Sequence, residues 1–150
     1  MTPNKIVPCI WFAVDGGHLA NIIAYYKAVF EPHFQTGTII PLGNTPNGNA
    51  ELCEVEFLGL KYSLKSTASE HQPLNDAVSF IIQCEDQKEI DHYWDYFTQE
   101  GEASQCGWCI DKYGLRWQII PKNLAELMSR PNAGEVMMRQ QKIIIEEYLR

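Results

Sequence analysis

The sequence predicts an α+β fold with two βαβββ modules followed by C-terminal helices, all within one domain of residues 1–150. The first observation is an internal repeat. The helix pattern I-x-x-Y-x-x-x-F occurs at residues 23–30 and again at 90–97, and GLKYSL at 59–64 matches GLRWQI at 114–119 position by position. The repeating unit of about 60 to 70 residues is too long for a solenoid. The second observation is that apolar residues within each copy change from strand spacing to helical spacing and back.

The first module covers about residues 5–66 and begins with a strand. Residues 5–14 are apolar and rich in β-formers, and the Asp-Gly-Gly of 15–17 indicates a turn. Apolar residues at helical spacing follow over 18–31, and Pro32 ends that helix.

The same module continues with strands and turns. Residues 36–40 (TGTII) predict a strand, whereas 41–50 are dense in turn formers and predict a loop. Residues 52–66 predict two strands around a tight turn at Leu58-Gly59.

The second module covers about residues 76–121 and repeats this order. Residues 77–84 predict a strand, and the acidic residues after it favour a helix start, where they complement the helix dipole. This helix ends at Gly101, and its apolar stripe consists of Ile90, Tyr93, Trp94 and Phe97.

Two closing strands and a tail complete the chain. Strands are predicted at 104–110 and 115–120, with a turn at 111–114 between them. The tail of 122–150 predicts one or two helices broken near Pro131. Its apolar residues available for packing are Val136, Met137, Ile143, Ile144 and Ile145.

Composition excludes several classes of function. The net charge is −7 with no basic cluster, so we expect no nucleic-acid partner. The longest apolar runs span only a few residues, which predicts no membrane segment, and no signal peptide is evident. We therefore expect a cytoplasmic protein whose five cysteines remain thiols.

Four sequence motifs carry a family resemblance that covers nearly the whole chain. They are PCIWF, the helix ending YYKAVF, SFIIQCEDQKEID and QCGW-x-x-DKYGLRWQI. The chain resembles the vicinal-oxygen-chelate superfamily of glyoxalases, bleomycin-resistance proteins and dioxygenases. Within it, the chain is most similar to the PhnB-like proteins, often labelled demethylubiquinone methyltransferase-like. The resemblance implies a glyoxalase-like concave mixed sheet and a homodimer with cavities lined by both modules.

The resemblance also implies where a metal would bind. Metal-using relatives place ligands, usually His or Glu, on the first and last strands of each module. Those positions fall near Val7 and Ser79 and on Ser63 and Gln118. None is an imidazole, thiolate or carboxylate, the donors that zinc, nickel or iron need. We read the four histidines as solvated or capping residues, namely His18, His33, His71 and His92. We therefore expect no metal and no cofactor.

Methyl transfer, which the subgroup label suggests, is also tested by the sequence. An S-adenosylmethionine pocket in an α/β fold needs a glycine-rich turn from strand to helix. The candidate turn is Asp15-Gly16-Gly17, and no G-x-G sequence follows a strand in a parallel-sheet pattern. The sequence therefore does not favour methyl transfer.

The sequence Cys106-Gly-Trp-Cys109 raises the question of redox or zinc chemistry. A redox C-x-x-C places its first thiolate at a helix N-terminus, but a turn follows Cys109. In an extended strand, residues three apart lie about 10 Å apart, whereas a disulfide needs Cα atoms within about 7 Å. Shared zinc ligation fails for the same reason. We predict that both thiols are packed or line a cavity.

Strand alternation predicts which side chains line that cavity. The residues expected to face the helices are Leu60, Tyr62, Leu64, Leu115, Trp117 and Ile119. The concave face then receives Val7, Cys9, Ile81 and Ile120, with Gln105 and Gly107 expected opposite Ile120 and Gln118. The predicted ligand-binding residues are Trp11, Lys61, Ser63, Ser79, Gln83, Gln105, Arg116 and Gln118.

This mixed pocket suits a small polar organic ligand that could be anionic. The alternative is that side chains fill the concavity and that Lys61 and Arg116 are solvated. Catalytic residues stay unknown. Cys106 or Cys109 as a nucleophile would need an activating His. Asp111 is a weak candidate for a catalytic base, because its position in a turn explains it without chemistry.

The sequence therefore favours a metal-independent small-molecule binder. The alternatives are a metal-dependent lyase or isomerase of glyoxalase type, a methyltransferase, or an interaction protein with no pocket. Fold alone does not fix the function.

Overall fold

A computed structural model describes residues 5–69 and 72–150. The chain divides into two compact units, Met1–Pro73 and Leu74–Arg150. Each unit contains a mixed β-sheet and a long α-helix that buries its apolar side against that sheet. None of the helices in the described ranges has the length and apolar composition that a bilayer span requires.

The first unit has five strands among its described residues. Its elements are β1 (Cys9–Ala13), a 3-10 helix (Asp15–Gly17), α1 (Ala20–Phe30), β2 (Phe34–Thr36), β3 (Ile40–Thr45), β4 (Gly48–Phe57) and β5 (Leu60–Thr67). The strand order is β1-β5-β4-β2, and β3 pairs with the first half of β4. β1 runs parallel to β5, and the other pairs are antiparallel.

Aromatic packing holds α1 to this sheet. Phe57 stacks between Phe30 and Tyr62, with ring centroids 4.5 Å and 4.3 Å away. Tyr26 and Leu19 are also buried, as the helical spacing predicted. Stacked aromatic rings add directional packing to the area that they bury, and they fix the helix on one face of the sheet. The opposite face is left open.

The structure corrects two predictions in this unit. Segment 41–50, predicted as a loop, forms the β3-β4 hairpin. Its turn lies at Pro46-Asn47, where the Thr45 hydroxyl accepts from the Asn47 N–H at 3.1 Å and donates to the Gly48 carbonyl at 2.9 Å. The predicted strand at 36–40 is interrupted at 37–39. The turn-forming residues of 41–50 therefore belong to a hairpin and not to a loop. The additional strand β3 can pair because β4 is long enough to reach both β2 and β3.

The second unit repeats the topology of the first. Its elements are β6 (Phe80–Cys84), α2 (Gln87–Gln99), β7 (Glu102–Ala103), β8 (Trp108–Ile110), β9 (Arg116–Pro121), α3 (Leu124–Met128), α4 (Ala133–Arg139) and α5 (Ile145–Tyr148). The strand order β6-β9-β8-β7 corresponds to β1-β5-β4-β2, with β6 parallel to β9. The predicted βαβββ order is confirmed, and β3 is the addition in the first unit.

The second core also has the predicted composition. Ile90 and Phe97 of α2 are fully buried, and the Phe97 ring stacks on Trp117 at 4.7 Å. The Asp86 carboxylate accepts the Glu89 N–H at 2.9 Å and so caps the first turn of α2. The repeated aromatic positions of the sequence are therefore the positions that join each helix to its sheet.

The C-terminal tail forms three short helices, with the predicted break near Pro131 between α3 and α4. Its buried residues form one cluster of Leu127, Ala133, Val136, Ile143 and Tyr148. Two tail carbonyls, of Gln140 and Gln141, accept the N–H groups of Cys106 and Gly107 at 2.9 Å and 2.8 Å. The tail is thus part of the second unit.

Candidate functional site

The open face of the first sheet is built by alternation along β5. Tyr62 and Leu64 are buried towards α1, so Lys61, Ser63 and Lys65 project from the opposite face. This is the side on which Lys61 and Ser63 were predicted. Leu60 was predicted as core but is 41% exposed, because it lies directly after the hairpin turn and pairs with Phe57 at the end of β4.

Trp11 lies on the same open face of β1. Its indole N–H donates to the Thr67 hydroxyl at 2.7 Å, and Lys65 Nζ lies 4.2 Å from the centre of its ring. Thr67 is buried and donates in turn to the Ser69 carbonyl at 2.8 Å. The indole orientation is therefore fixed by a hydrogen bond, and its face contacts a cation.

Lys61 lies among carboxylates. Its Nζ is 4.0 Å from Glu54, and strand register places Glu56 directly opposite it on β4. Beside it is a shallow cavity of about 360 Å³ lined by Gln35, Thr36, Gly37, Glu54, Val55, Glu56 and Lys61. The positive charge of Lys61 is thus balanced by its neighbours.

The open face of the second sheet contains a polar pair among apolar side chains. The Gln118 amide N–H donates to the Ser79 hydroxyl at 2.9 Å. Ile81 is the parallel neighbour of Gln118 and is 54% exposed, while Trp108 pairs with Gln118 from β8. Gln83 is exposed one step further along β6. The structure therefore brings together Ser79 and Gln118 with apolar residues on either side.

Arg116 lies on the same strand as Gln118, but its guanidinium forms hydrogen bonds with residues of the second unit. Its Nε donates to Asp76 at 2.9 Å, and its Nη1 donates to the carbonyls of Leu74 and Gly114 at 2.9 Å and 2.7 Å. Only 18% of the side chain is exposed. The guanidinium therefore holds the segment that enters the second unit.

Gln105 does not lie on a strand. The predicted strand 104–110 begins only at Trp108, because Cys106 and Gly107 have φ angles of +59° and +84°. The Gln105 carbonyl accepts the Trp108 N–H at 3.0 Å in the resulting turn. Trp108, and not Gly107, therefore pairs with Gln118. The predicted positions of Gln105 and Gly107 opposite Ile120 and Gln118 are wrong.

The two cysteines of the C-x-x-C sequence are free thiols in different surroundings. Cys106 Sγ donates to the Met137 carbonyl at 3.4 Å. Cys109 is fully buried, and burial raises the pKa of its thiol to about 12. A thiol with so high a pKa holds almost no thiolate at neutral pH, so Cys109 is a poor nucleophile.

Asp111 is buried, and its carboxylate is occupied by hydrogen bonds within the second unit. Its carboxylate accepts the backbone N–H groups of Tyr113 and Leu115 at 2.9 Å and 3.0 Å, and the indole N–H of Trp117 at 2.8 Å. These bonds hold the β8-β9 turn on the core, which is a structural role.

The residues present do not fit a transition-metal centre. Ser63, Ser79 and Gln118 offer neutral oxygens, and the Gln118 amide is bonded to Ser79. Within residues 5–69 and 72–150, no group of three or more His, Cys, Asp or Glu side chains is placed to hold a metal ion. His18 pairs with Glu51 at 3.2 Å, while His71 lies outside the described residues. Such neutral donors bind zinc, nickel or iron weakly.

The glycine turn before α1 likewise does not fit a cofactor cradle. A Cβ on Gly17 would lie 2.1 Å from the Asn49 carbonyl oxygen, so β4 occupies the space beside it. The Gly16 carbonyl accepts from the Asn49 amide at 2.9 Å, and the Gly17 carbonyl accepts from Ser66 at 2.7 Å. Close backbone packing accounts for Gly17, and a positive φ of +75° accounts for Gly16.

Sequence reasoning missed four residues on these open faces. Continuing the alternation along β5 would have predicted Lys65 on this face. The same alternation along β4 would have predicted Glu54 and Glu56. Trp108 could not be placed in the same way, because the turn at Cys106-Gly107 shifts the register of β8 by one residue.

Comparisons with known proteins agree with this architecture. A family model described as 3-demethylubiquinone-9 3-methyltransferase matches residues 4–120. None of the curated proteins matches the chain. The tail beyond residue 120 lies outside the family match.

Several solved structures share the fold. A PhnB protein from Bacillus cereus, described as a 3-demethylubiquinone-9 3-methyltransferase, is 21% identical with a TM-score of 0.66, covering 79% of this chain and 99% of that one. The fosfomycin resistance protein FosX from Listeria monocytogenes is 13% identical with a TM-score of 0.57, covering 87% and 100%. The trypanothione-dependent glyoxalase I of Leishmania major is 13% identical with a TM-score of 0.52, covering 88% and 97%. At these identities the likeness establishes the fold alone.

Proposed function

The chain belongs to the family described as 3-demethylubiquinone-9 3-methyltransferase, with the fold of the vicinal-oxygen-chelate superfamily, and from this premise we propose that it binds a small polar organic molecule without a metal. The proposed binding residues lie on the open sheet faces. They are Trp11, Lys61 and Ser63 on the first sheet and Ser79, Gln83 and Gln118 on the second. Gln105 and Arg116 have weaker support, because a turn and an internal hydrogen-bond network account for them.

The observation that carries the proposal is the hydrogen bond between Ser79 and Gln118, at 2.9 Å. This polar pair lies beside the exposed side chain of Ile81 and opposite Trp108. Ligand sites are mostly apolar surfaces with a few polar groups that fix orientation. Gln118 keeps its amide oxygen and a second N–H for a ligand, since only one N–H is donated to Ser79.

Metal independence is supported by the donor set. The resemblance implies ligand positions near Val7 and Ser79 and on Ser63 and Gln118, and none of these residues is an imidazole, thiolate or carboxylate. A lyase or isomerase of glyoxalase type would therefore need a metal site elsewhere.

The methyl transfer named in the family description is not carried over, because Gly17 packs closely against the Asn49 backbone of β4 and the Gly16 carbonyl is bonded to the Asn49 side chain. This packing leaves no cradle at that turn.

The cellular setting is part of the same proposal. Five free thiols are consistent with a reducing compartment, and we place the protein in the cytoplasm. The family resemblance supports a homodimer, and the net charge of −7 supports a small-molecule partner rather than nucleic acid.

The test is a ligand titration followed by ¹H–¹⁵N NMR of the full chain. Small carboxylic acids, amides and polyols are the probes. We expect a bound probe to shift backbone amides of 79–83 and 116–120. A Gln118→Leu variant should weaken that binding about tenfold, equivalent to about 1.4 kcal/mol. The matched control is Gln99→Leu, an exposed glutamine at the end of α2. Shifts confined to other regions, or equal weakening in both variants, would contradict the proposed function.

A further inference from the structure

Lys65 occupies a distinct position on the open face of the first sheet. Strand register places it between Trp11 of β1 and Leu52 of β4. Its Nζ lies 4.2 Å from the centre of the Trp11 ring. Among the residues that the structure describes, no carboxylate forms an ion pair with Lys65. Its ammonium therefore contacts the Trp11 ring in place of a carboxylate.

Lys61, on the same face of the same strand, is the natural comparison. It faces two carboxylates, Glu54 at 4.0 Å and Glu56 in register. Lys65 is four residues further along β5, about 13 Å from Lys61 at a strand rise of about 3.3 Å per residue. Glu56, in register with Lys61, is therefore further from Lys65 than the Debye length of about 8 Å at physiological salt. Glu54 lies closer, opposite Ser63, but its ion-pair partner is Lys61.

The surface around Lys65 is apolar and rigid. The Trp11 indole is fixed by its hydrogen bond to the buried Thr67 hydroxyl at 2.7 Å. On the other side of Lys65, Leu52 pairs with Ile40 of β3, whose side chain is 53% exposed. One cation therefore lies in a strip of apolar side chains that crosses four strands, β1, β5, β4 and β3.

We propose that Lys65 binds the acidic group of an organic anion whose apolar body lies along Trp11 and Leu52. An ammonium over an indole still has N–H groups that can donate to a carboxylate, phosphonate or phosphate oxygen. The apolar strip then selects acids with a hydrophobic body over small inorganic ions. This inference rests on the proposed function, since it assigns the ligand class to the open face of the first sheet.

The test compares two lysine variants against three probes. Benzoate, phenylphosphonate and the neutral benzamide are titrated into the full chain, and the Trp11 indole N–H signal is followed by NMR. We expect both anions, but not benzamide, to shift that signal. Lys65→Met should weaken anion binding about tenfold or more. The control is Lys27→Met on α1, an exposed lysine paired with Glu31 at 3.7 Å, which should change anion binding less than about twofold. Raising KCl from about 20 mM to about 500 mM should weaken binding through screening. Tighter binding of phenylphosphonate points to a phosphonate or phosphate ligand, and tighter binding of benzoate points to a carboxylate.

A Lys65→Arg variant separates charge from folding. If Lys65→Met fails to fold, Lys65→Arg still tests the site, because it keeps the cation and should bind anions within about threefold of the wild type. Equal losses in Lys27→Met and Lys65→Met, benzamide binding as tight as benzoate, or no anion binding at all would each overturn the inference. A ligand that shifts the amides around Gln118 and binds Lys65→Met normally would contradict this subsite and leave the proposed function standing.

Discussion

The carboxylate of Asp111 accepts the indole N–H of Trp117 at 2.8 Å inside the core of the second unit. The same carboxylate accepts two backbone N–H groups of the β8-β9 turn, from Tyr113 and Leu115. A residue that the sequence offered as a weak candidate for a catalytic base is thereby fixed between a turn and the ring on which Phe97 stacks. The turn and the core depend on each other through this one side chain.

Replacement of Asp111 by alanine should strongly destabilise the protein. Three N–H donors would lose their acceptor in a buried site, which costs about 3 kcal/mol or more in the free energy of unfolding. Urea unfolding measures this change. The control is Asp95→Ala, which removes an exposed carboxylate paired with Lys142 at 3.2 Å and should cost less than about 1 kcal/mol. A loss in Asp111→Ala no larger than that of the control would show that the turn does not depend on the carboxylate.

Replacement of Gly17 by alanine should disrupt the first unit. The new Cβ would lie 2.1 Å from the Asn49 carbonyl oxygen, and backbone atoms on both sides prevent relief. We expect a loss of more than about 3 kcal/mol. Gly59→Ala is the matched control, because Gly59 has a similar positive φ of +85° but nothing within 4 Å of its Cβ position. It should lose only about 1 kcal/mol through backbone strain. Similar losses in both variants, measured by thermal or urea unfolding, would refute steric contact as the cause.

Glu51 should make stability depend on pH. Its carboxylate accepts the Leu19 N–H at 2.7 Å, and this hydrogen bond, helped by His18, lowers the pKa of Glu51 below its ordinary value of 4.5 despite partial burial. A lowered pKa in the folded state stabilises the protein above pH 4.5, and this contribution is lost as the pH falls below that value. The difference in unfolding free energy between wild type and Glu51→Gln should therefore shrink from pH 7 to pH 3.

The control for that pH series is Ser66→Ala. It removes a different hydrogen bond to the same region, from the Ser66 hydroxyl to the Gly17 carbonyl at 2.7 Å, and involves no titrating group. Its destabilisation should stay constant across the series. A Glu51→Gln difference that is equally constant would mean that the carboxylate charge does not contribute.

The repeated parts of the fold were predictable because the same pattern of apolar and turn residues occurs in both copies. Tyr26 and Tyr93 are buried at equivalent helix positions, and Gly59 and Gly114 adopt positive φ in equivalent turns. The β3 strand was missed because its turn formers and edge Pro41 resemble a loop when the long partner β4 is not known. Whether such a segment pairs as a strand is set by its tertiary context, and local composition does not encode it.

The candidate site was predictable only where the strands are regular. Alternation predicted the faces of Ser63 on β5 and Gln118 on β9, and the next residue on the same face of β5 is Lys65. Ser79 precedes β6 and lies beside Gln118 through a hydrogen bond of 2.9 Å. Gln105 was misplaced because its turn is stabilised by tail carbonyls more than thirty residues away in sequence. The residues around Gln105 contain no local pattern that would indicate hydrogen bonds to the tail.

The side chain of Gln87 should control how firmly the tail is attached. Its amide donates to the Ile143 carbonyl and accepts the Ile145 N–H, both at 2.9 Å. In Gln87→Ala the tail should open more often, so the Cys106 and Gly107 amides bonded to it should exchange with deuterium about tenfold faster. Lys88→Ala, an exposed neighbour on the same helix, is the control. Unchanged exchange at both amides in Gln87→Ala would show that the tail is held without this clamp.

Metal analysis tests the proposed independence from metal directly. Protein purified without chelator and without an affinity metal should contain less than about 0.1 equivalents of zinc, nickel, manganese or iron per chain, because Ser63, Ser79 and Gln118 supply only neutral donors. Ser79→His with Gln118→Glu is the informative variant, since these two side chains lie 2.9 Å apart in the second unit, and imidazole and carboxylate are the donors that such ions prefer. Raised metal retention in that variant would indicate that the geometry of a metal site persists and that only its donors differ. Near-stoichiometric metal in the wild type would instead contradict metal independence and make glyoxalase-type chemistry the working model.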